Sequence, residues 1–393
     1  MIQRRSEQEL IHALTKFPVV CITGPRQCGK TTLAKMVCQN LERKAVYLDL
    51  EKVEDQRRIS DPGLFFADNR NRLIVLDEIQ RYPELIPQMR AEIDAQREPG
   101  RFLILGSASP DIILSSSETL AGRIYFLSLF PFIFPEVSNK IELNDLFFWG
   151  GFPPVVLDSD PVFRQDWLDN FIYTYIERDL PLLGLKAAPR QVRQLWEMLA
   201  YQSANLLNSS SIGRSLGITS HTVNSYLDYL EGAFMIFRID PFYVNIGKRL
   251  VKSKKVYISD MGILHRLLGL RNRDQLMGTP FAGNSWETFV ISQLIPLIRR
   301  KWNYWYYRTH TGIEADLVLG TGINPEMCIE IKLSSSPALT RSFVTAIDDL
   351  KTRSNYIIVP SGESFRIRKD VMICALGDFI KILEEREPVG QNA

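Results

Sequence analysis

Residues 24–32 read Gly24-Pro25-Arg26-Gln27-Cys28-Gly29-Lys30-Thr31-Thr32 and follow directly on an unbroken apolar run, Val19-Val20-Cys21-Ile22. They match GxxxxGK[ST] at every fixed position. An apolar run without alternation reads as a strand buried on both faces, here residues 17–23. The apolar-faced stretch 32–37 reads as the helix that follows. Gly24 and Gly29 let the backbone between them curl until its N–H groups face phosphate oxygens. The positive end of a helix beginning near Lys30 adds to that field. Lys30 brings a point charge to the β- and γ-phosphates, and the Thr31 hydroxyl is set to ligate Mg²⁺. A strand, loop and helix in this order predict a site for ATP with Mg²⁺.

A second signal lies downstream. Leu73-Ile74-Val75-Leu76-Asp77-Glu78 is an apolar run that ends in two carboxylates. Asp77 is a candidate Mg²⁺ ligand, directly or through water, and Glu78 a candidate to polarise the attacking water. The plainer alternative is a strand that ends in a solvated acidic turn. Residues 45–50 and 101–106 also read as strands, the latter leading into Ser107. That hydroxyl is a candidate contact to the γ-phosphate or the lytic water, or else a turn or helix cap. Helix-like stretches, 84–96 among them, lie between the strands. This alternation predicts an α/β unit with a mostly parallel sheet covered on both faces. Ligands of such sheets bind at the carboxyl ends of the strands, where all three motifs end.

Length and composition set outer bounds. With 393 residues, two or three domains are expected. Lys plus Arg number 47 and Asp plus Glu 45, so the balance gives no overall sign of a nucleic-acid binder. The five cysteines form no CxxC, and an odd count favours thiols in a reducing compartment. The four histidines are scattered, which leaves no zinc site legible. No signal peptide and no apolar stretch near the ~20 residues of a membrane helix can be read. A cytoplasmic protein without a membrane partner is expected.

The run GPRQCGKTTL, the segment LIVLDEIQ and Leu105-Gly106-Ser107-Ala108-Ser109 together resemble the AAA-type P-loop ATPases of bacteria and archaea that carry a C-terminal domain of unknown function, DUF4143. The resemblance covers nearly the whole chain. Cys28 departs from it, standing where a small aliphatic residue is more usual. That should not harm catalysis, because the loop contributes its backbone there. The resemblance continues through Leu120-Ala121-Gly122-Arg123. It implies Arg123 as a candidate arginine finger, in its own subunit or a neighbour's, against a structural role. Arg178, within Tyr173-Thr174-Tyr175-Ile176-Glu177-Arg178-Asp179-Leu180, is a second candidate. Its alternative is an ion pair with Glu177 or Asp179. Rings are common among AAA-type proteins, so a homo-oligomer or protein partner stays open.

Residues 186–250 read as a winged helix between an ATPase unit, 1–185, and a C-terminal unit, 251–393. One helix spans 191–202. Asn208 to Ser211 can cap a short helix, 212–216, and Thr219-Ser220 the next. Residues 234–239 and the stretch through Val244 would form the wing. Its second helix would present Ser220, His221, Asn224, Ser225 and Asp228, with no Lys or Arg. That is a poor face for DNA, whose affinity rests on phosphate neutralisation. Arg214, Lys248, Arg249, Lys252, Lys254 and Lys255 are the nearby cations. A packing role is the alternative to DNA contact.

In the last third, Lys255-Val256-Tyr257-Ile258-Ser259-Asp260-Met261-Gly262 resembles the family's entry into its final domain. Glu287 falls on a helix, Asp316 within the strand-like run 313–319, and Glu330-x-Lys332 at the end of another. The set resembles the core of restriction-endonuclease-like nucleases, an α/β fold. Alternation puts Glu330 and Lys332 on one face. Asp316 and Glu330 would bind Mg²⁺, Lys332 would orient water, and Glu287 would complete the metal shell. The alternative is an inherited fold used for docking, with these charges as buried ion pairs. Three functions follow as expectations: an ATPase whose turnover rearranges the C-terminal units, an ATP-regulated metal-dependent nuclease on DNA or RNA, or a nucleotide-sensing adaptor.

Overall fold

The computed structural model describes residues 2–109, 120–243, 250–386 and 388. Its first sheet holds β1 (Val19–Thr23), β2 (Ala45–Asp49), β3 (Leu73–Asp77), β4 (Phe102–Gly106) and β5 (Ile124–Ser128). All five are parallel, in the order β2-β3-β4-β1-β5. β1, β3 and β4 are buried at every position, as their unalternated apolar runs require. Cys21, Ile74, Leu76 and Ile104 pack on one face against Phe66 and the helix Leu85–Ala95. Val20, Ile22, Val75 and Leu103 pack on the other against the helices Ser6–Leu14 and Lys30–Asn40. Each such side chain contributes about 1.5–3 kcal/mol by leaving water. Because β4 lies between β1 and β3, Ser107 is brought between the glycine-rich loop and the two acids.

A helical region follows. The helix Pro161–Thr174 runs into a π turn, Tyr175–Asp179. Beyond it come the helices Pro189–Tyr201, Ser209–Leu216 and Ser220–Gly232. The expected caps are made: the Asn208 side chain accepts from the Ser211 N–H, and Thr219 from that of Thr222. Three short antiparallel strands, β6 (Asn205–Leu206), β7 (Ile236–Ile239) and β8 (Lys255–Ile258), assemble as β6-β8-β7. The partner of β7 is therefore β8 and not the stretch leading to Val244. Pro241 bridges Tyr306 instead, and residues 244–249 lie outside the described residues.

The last sheet is mixed. It comprises β9 (Asn303–Arg308), β10 (Glu314–Thr321), β11 (Asn324–Ile331), β12 (Ser354–Val359), β13 (Phe365–Arg368) and β14 (Val371–Ala375), in the order β13-β14-β12-β11-β10-β9. The helices Ala282–Ile298 and Leu376–Glu385 cover one face and Arg341–Leu350 the other. One apolar cluster takes in residues from Phe132 to Leu383, so the middle and last regions share a core.

Candidate functional site

The loop after β1 is shaped by close backbone approach. A Cβ on Gly24 would lie 2.1 Å from the Leu129 carbonyl oxygen, so only glycine fits. Gly29 holds φ +101° at the start of the helix Lys30–Asn40. Arg4 braces the loop from behind: its guanidinium donates to the Cys28 carbonyl at 2.9 Å, to the Phe130 carbonyl at 2.6 Å and to Glu136 at 3.0 Å. Cys28 is fully buried, and burial pushes its thiol up despite Lys30 and Arg4. The side chain is thus a small apolar filler. Lys30 is folded into the loop, donating to the Gly24 and Pro25 carbonyls at 3.0 and 2.8 Å.

The register Asp49 opposite Asp77 and Thr23 opposite Gly106 lines up the strand ends. Thr31 Oγ1 donates to Asp77 Oδ2 at 2.7 Å, and the Tyr47 hydroxyl donates to the same oxygen. Burial, then Asp77, pushes the Tyr47 phenol up, so it stays a donor. Glu78 holds the left-handed conformation, φ +59°, a strained state of about 1–3 kcal/mol for a residue with a Cβ. Its N–H bonds Asp77 Oδ1 at 3.0 Å. Its carboxylate accepts from Ser107 Oγ at 3.0 and 3.2 Å and from the Gln80 amide. Ser107, a predicted phosphate contact, here positions Glu78. A hydroxyl beside a carboxylate is the hard oxygen pair that suits Mg²⁺, which commonly takes one or two protein ligands and completes its shell with phosphate and water. Thr31 and Asp77 fit that need.

Arg26 turns outward from the loop and pairs with Asp179 on the π turn and with Glu51 at 2.8 Å. Burial alone would lower its guanidinium; Asp179, Glu78 and Glu51 outweigh it and carry it up. Burial pushes the Asp179 carboxyl up against the pull of Arg26. These groups enclose a cavity of about 50 Å³ that Glu78, Ser107 and Tyr175 also line. Pro25 is buried, while Gln27 and Thr32 are exposed on the loop and the first helical turn.

The two arginines predicted as fingers part ways. Arg123 precedes β5, at the end of the sheet opposite the loop and roughly 20 Å from Gly24 at about 3.3 Å per strand residue. There it bonds Asp94 at 2.7 Å, so it does not reach its own chain's site. Arg178 is exposed next to Asp179 and acts electrostatically on Glu51 and Asp179. Asp179 itself pairs with Arg26.

The second predicted group does converge, around a residue that sequence reasoning placed elsewhere. Lys255, read as a cation for DNA, is 1% exposed. Its ammonium lies 2.9 Å from Glu287, 2.8 Å from Glu314 and 3.6 Å from Asp316. Tyr257 donates to Glu287 at 2.9 Å. Asp316 accepts the Ile331 N–H at 2.8 Å, and Lys332 pairs with Glu330 at 2.6 Å. Burial, then Asp316, pushes both Glu287 and Glu330 up. Burial would lower Lys255, but Glu287, Tyr257, Asp316 and Glu314 hold it charged. Among the described residues no group of three His, Cys, Asp or Glu side chains is arranged to hold a metal ion. Lys255 is the cation at the centre of these acids.

The second helix of the expected winged helix, Ser220–Gly232, is engaged within the chain. Its Gly232 carbonyl takes the Ser109 N–H at 2.7 Å, Asn224 takes Ser209 at 2.6 Å, and Asp228 and Glu231 bind Arg238. Lys254 pairs with Asp240 at 3.0 Å. Sequence reasoning missed Arg4, Tyr47, Glu51 and Glu314 as site residues. None carries a local motif, because each partner lies far along the chain.

Three family descriptions match: AAA domain over 16–138, domain of unknown function DUF8612 over 140–274, and domain of unknown function DUF4143 over 282–379. An uncharacterized protein of Mycobacterium tuberculosis is 38% identical over 373 residues, covering 95% of this chain and 83% of its own. One of Haemophilus influenzae is 23% identical over 330 residues, covering 75% and 79%. Among solved structures, a Walker-type ATPase of Pyrococcus abyssi is 17% identical with a TM-score of 0.47, covering 68% of this chain and 96% of that one. No helix among the described residues is long and apolar enough to cross a membrane.

Proposed function

We propose, for a chain that belongs to the same family as the mycobacterial protein and carries an AAA domain ahead of a DUF4143 domain, Mg²⁺-dependent binding and hydrolysis of ATP at residues 24–32. The observation that carries this reading is the meeting of Thr31 and Asp77 at 2.7 Å with Glu78 fixed alongside by Ser107. Mg²⁺, when bound, would supply positive charge that neutralises the phosphates. Thr31 and Asp77 would hold it. Lys30 would exchange its two loop carbonyls for phosphate oxygens. Glu78 would take the proton of the attacking water, its carboxylate oriented by Ser107 and Gln80. Arg178, or an arginine such as Arg123 from a neighbouring copy, would meet the charge that develops.

The Arg26–Asp179 pair supports coupling. A γ-phosphate competes with Asp179 for Arg26, and Asp179 leads into the helical region. Nucleotide state would thereby shift residues 186–250, read as a winged helix, and 251–393, read as a restriction-endonuclease-like unit. The internal pairing of Arg238 and Lys254 favours packing over DNA contact for the former. Free cysteines suit a reducing cytoplasm.

The test is ATP turnover with Mg²⁺. Lys30→Ala and Glu78→Gln should each lower it by roughly 100-fold or more, and Glu78→Gln should still bind ATP. Turnover unchanged in both variants would sink the proposal. ATP bound by the wild type without turnover would favour the adaptor reading. The convergence of Glu287, Asp316, Glu330 and Lys332 supports a nuclease as the second reading. It requires Mg²⁺-dependent cleavage of DNA or RNA that Glu330→Ala abolishes.

A further inference from the structure

A pocket of about 260 Å³ opens between the start of the first helix, the turn after β5 and the end of the helix Ala282–Ile298. Arg4, Arg5, Arg299, Arg300 and Lys301 line it, against two carboxylates, Glu9 and Glu136. Both carboxylates are engaged. Glu136 takes Arg4 at 3.0 Å and the N–H groups of Arg5 and Ile133 at 3.0 and 3.2 Å. Glu9 takes Arg300 and, at 2.8 Å, the Tyr125 hydroxyl. Arg5 pairs outward with Glu384 at 2.8 Å, both side chains substantially exposed.

Arg299 differs from its neighbours. Its guanidinium lies 5.3 Å over the Phe130 ring and forms no hydrogen bond or ion pair with the described residues. Burial pushes it down, against the pull of Tyr304 and Glu9. Cations at a helix C-terminus gain modestly from the backbone dipoles. That accounts for three basic residues in succession, but not for half-burying one of them with no acceptor bonded to it. A half-buried guanidinium without a bonded acceptor is a ready donor for an anion that supplies one.

We propose that this pocket binds a phosphate-bearing anion, with Arg299 as its principal donor and the exposed Arg5 at its rim. The volume lies below the ~300–1,000 Å³ of ordinary ligand pockets. It suits one phosphate or pyrophosphate group, either free or as a phosphodiester of a strand reaching in. The pocket is joined to the nucleotide loop. Arg4 holds both the carbonyl of Phe130, whose ring lies under Arg299, and the Cys28 carbonyl of the loop. An anion here therefore bears on the loop's shape, and nucleotide bears on the anion to the same degree.

The nucleotide loop itself attracts phosphates, so the experiment uses the full chain carrying Lys30→Ala, titrated calorimetrically with inorganic pyrophosphate. One site should persist, and its occupation should raise the Tm. Adding Arg299→Gln should weaken binding about tenfold or more, while the Tm without ligand stays level or rises. Arg299→Lys keeps the charge and should retain more of the affinity. Absence of pyrophosphate binding in the Lys30→Ala chain overturns the proposal. So does binding that survives Arg299→Gln, or a loss that merely follows a lowered Tm. A short single-stranded oligonucleotide displaces pyrophosphate if the source is a phosphodiester. It leaves pyrophosphate in place if the source is a free phosphate compound.

Discussion

The carboxylate of Asp260 accepts the Ile263 N–H at 3.2 Å and the Gly151 N–H at 2.8 Å, capping one helix and fastening the turn before another. Burial pushes its pKa up to about 6. The folded chain then holds this proton more tightly than the unfolded one. Its contribution to stability is fully present below the ordinary carboxylate pKa of 3.8 and declines as pH rises to about 6. Asp260→Asn should remove that slope and cost about 1–3 kcal/mol, since one amide oxygen replaces two and a buried N–H loses its partner. Urea unfolding at pH 4, 5 and 7 checks both. The placement of Thr31, Asp77 and Glu78 at one end of the sheet is legible because motif spacing and strand ends fix it locally. Arg4 and Tyr47 were not, because their partners Cys28 and Asp77 are 24 and 30 residues away and only the folded sheet brings them near.

At the scale of elements, the π turn Tyr175–Asp179 is the piece of backbone that meets the nucleotide loop from the helical region. Relaxing that grip should free Arg26 for phosphate. Asp179→Asn is expected to tighten ATP binding by about 2- to 10-fold, the worth of a partly exposed ion pair. It should also blunt any nucleotide-dependent change in proteolytic protection of residues 186–393. Equilibrium binding of a fluorescent ATP analogue measures the first effect, and unchanged affinity would remove Arg26 from the coupling. The sheet carrying the loop was readable because runs such as Leu73–Asp77 lack alternation and can only be buried on both sides. The partner of β7 was not readable. Period-two patterning sets which face a strand buries but leaves its neighbour open, and the residues between β7 and β8 bear no turn signature strong enough to announce the longer excursion.

For the whole molecule, the acids of the last third and the lysine among them form one electrostatic unit shared between two sheets. Lys255→Met should destabilise the chain by about 3–5 kcal/mol, since it leaves buried carboxylates without a cation. The loss should be larger at pH 8 than at pH 6. Glu287 and Glu330 are already pushed up by burial, and protonation on the acid side relieves what remains. Thermal unfolding at the two pH values tests the sign. Rescue of the variant by added Mg²⁺ would strengthen the nuclease reading; no rescue would leave the cluster structural. The resemblance to nuclease cores groups Glu287, Asp316, Glu330 and Lys332, which the fold brings within electrostatic reach of one another, but it carries no account of a lysine arriving from another sheet. The position of β8 also has a consequence during synthesis. On the ribosome, residues 236–239 emerge well before residues 255–258 that complete their sheet, and the acids that neutralise Lys255 emerge later still. An N-terminal domain can fold as it leaves the exit tunnel, yet the middle region must wait, its lysine kept in water, until residue 316 is translated. A message truncated before that point yields a folded nucleotide-binding head trailing an open segment, which is prey for proteases and not a smaller version of the same protein.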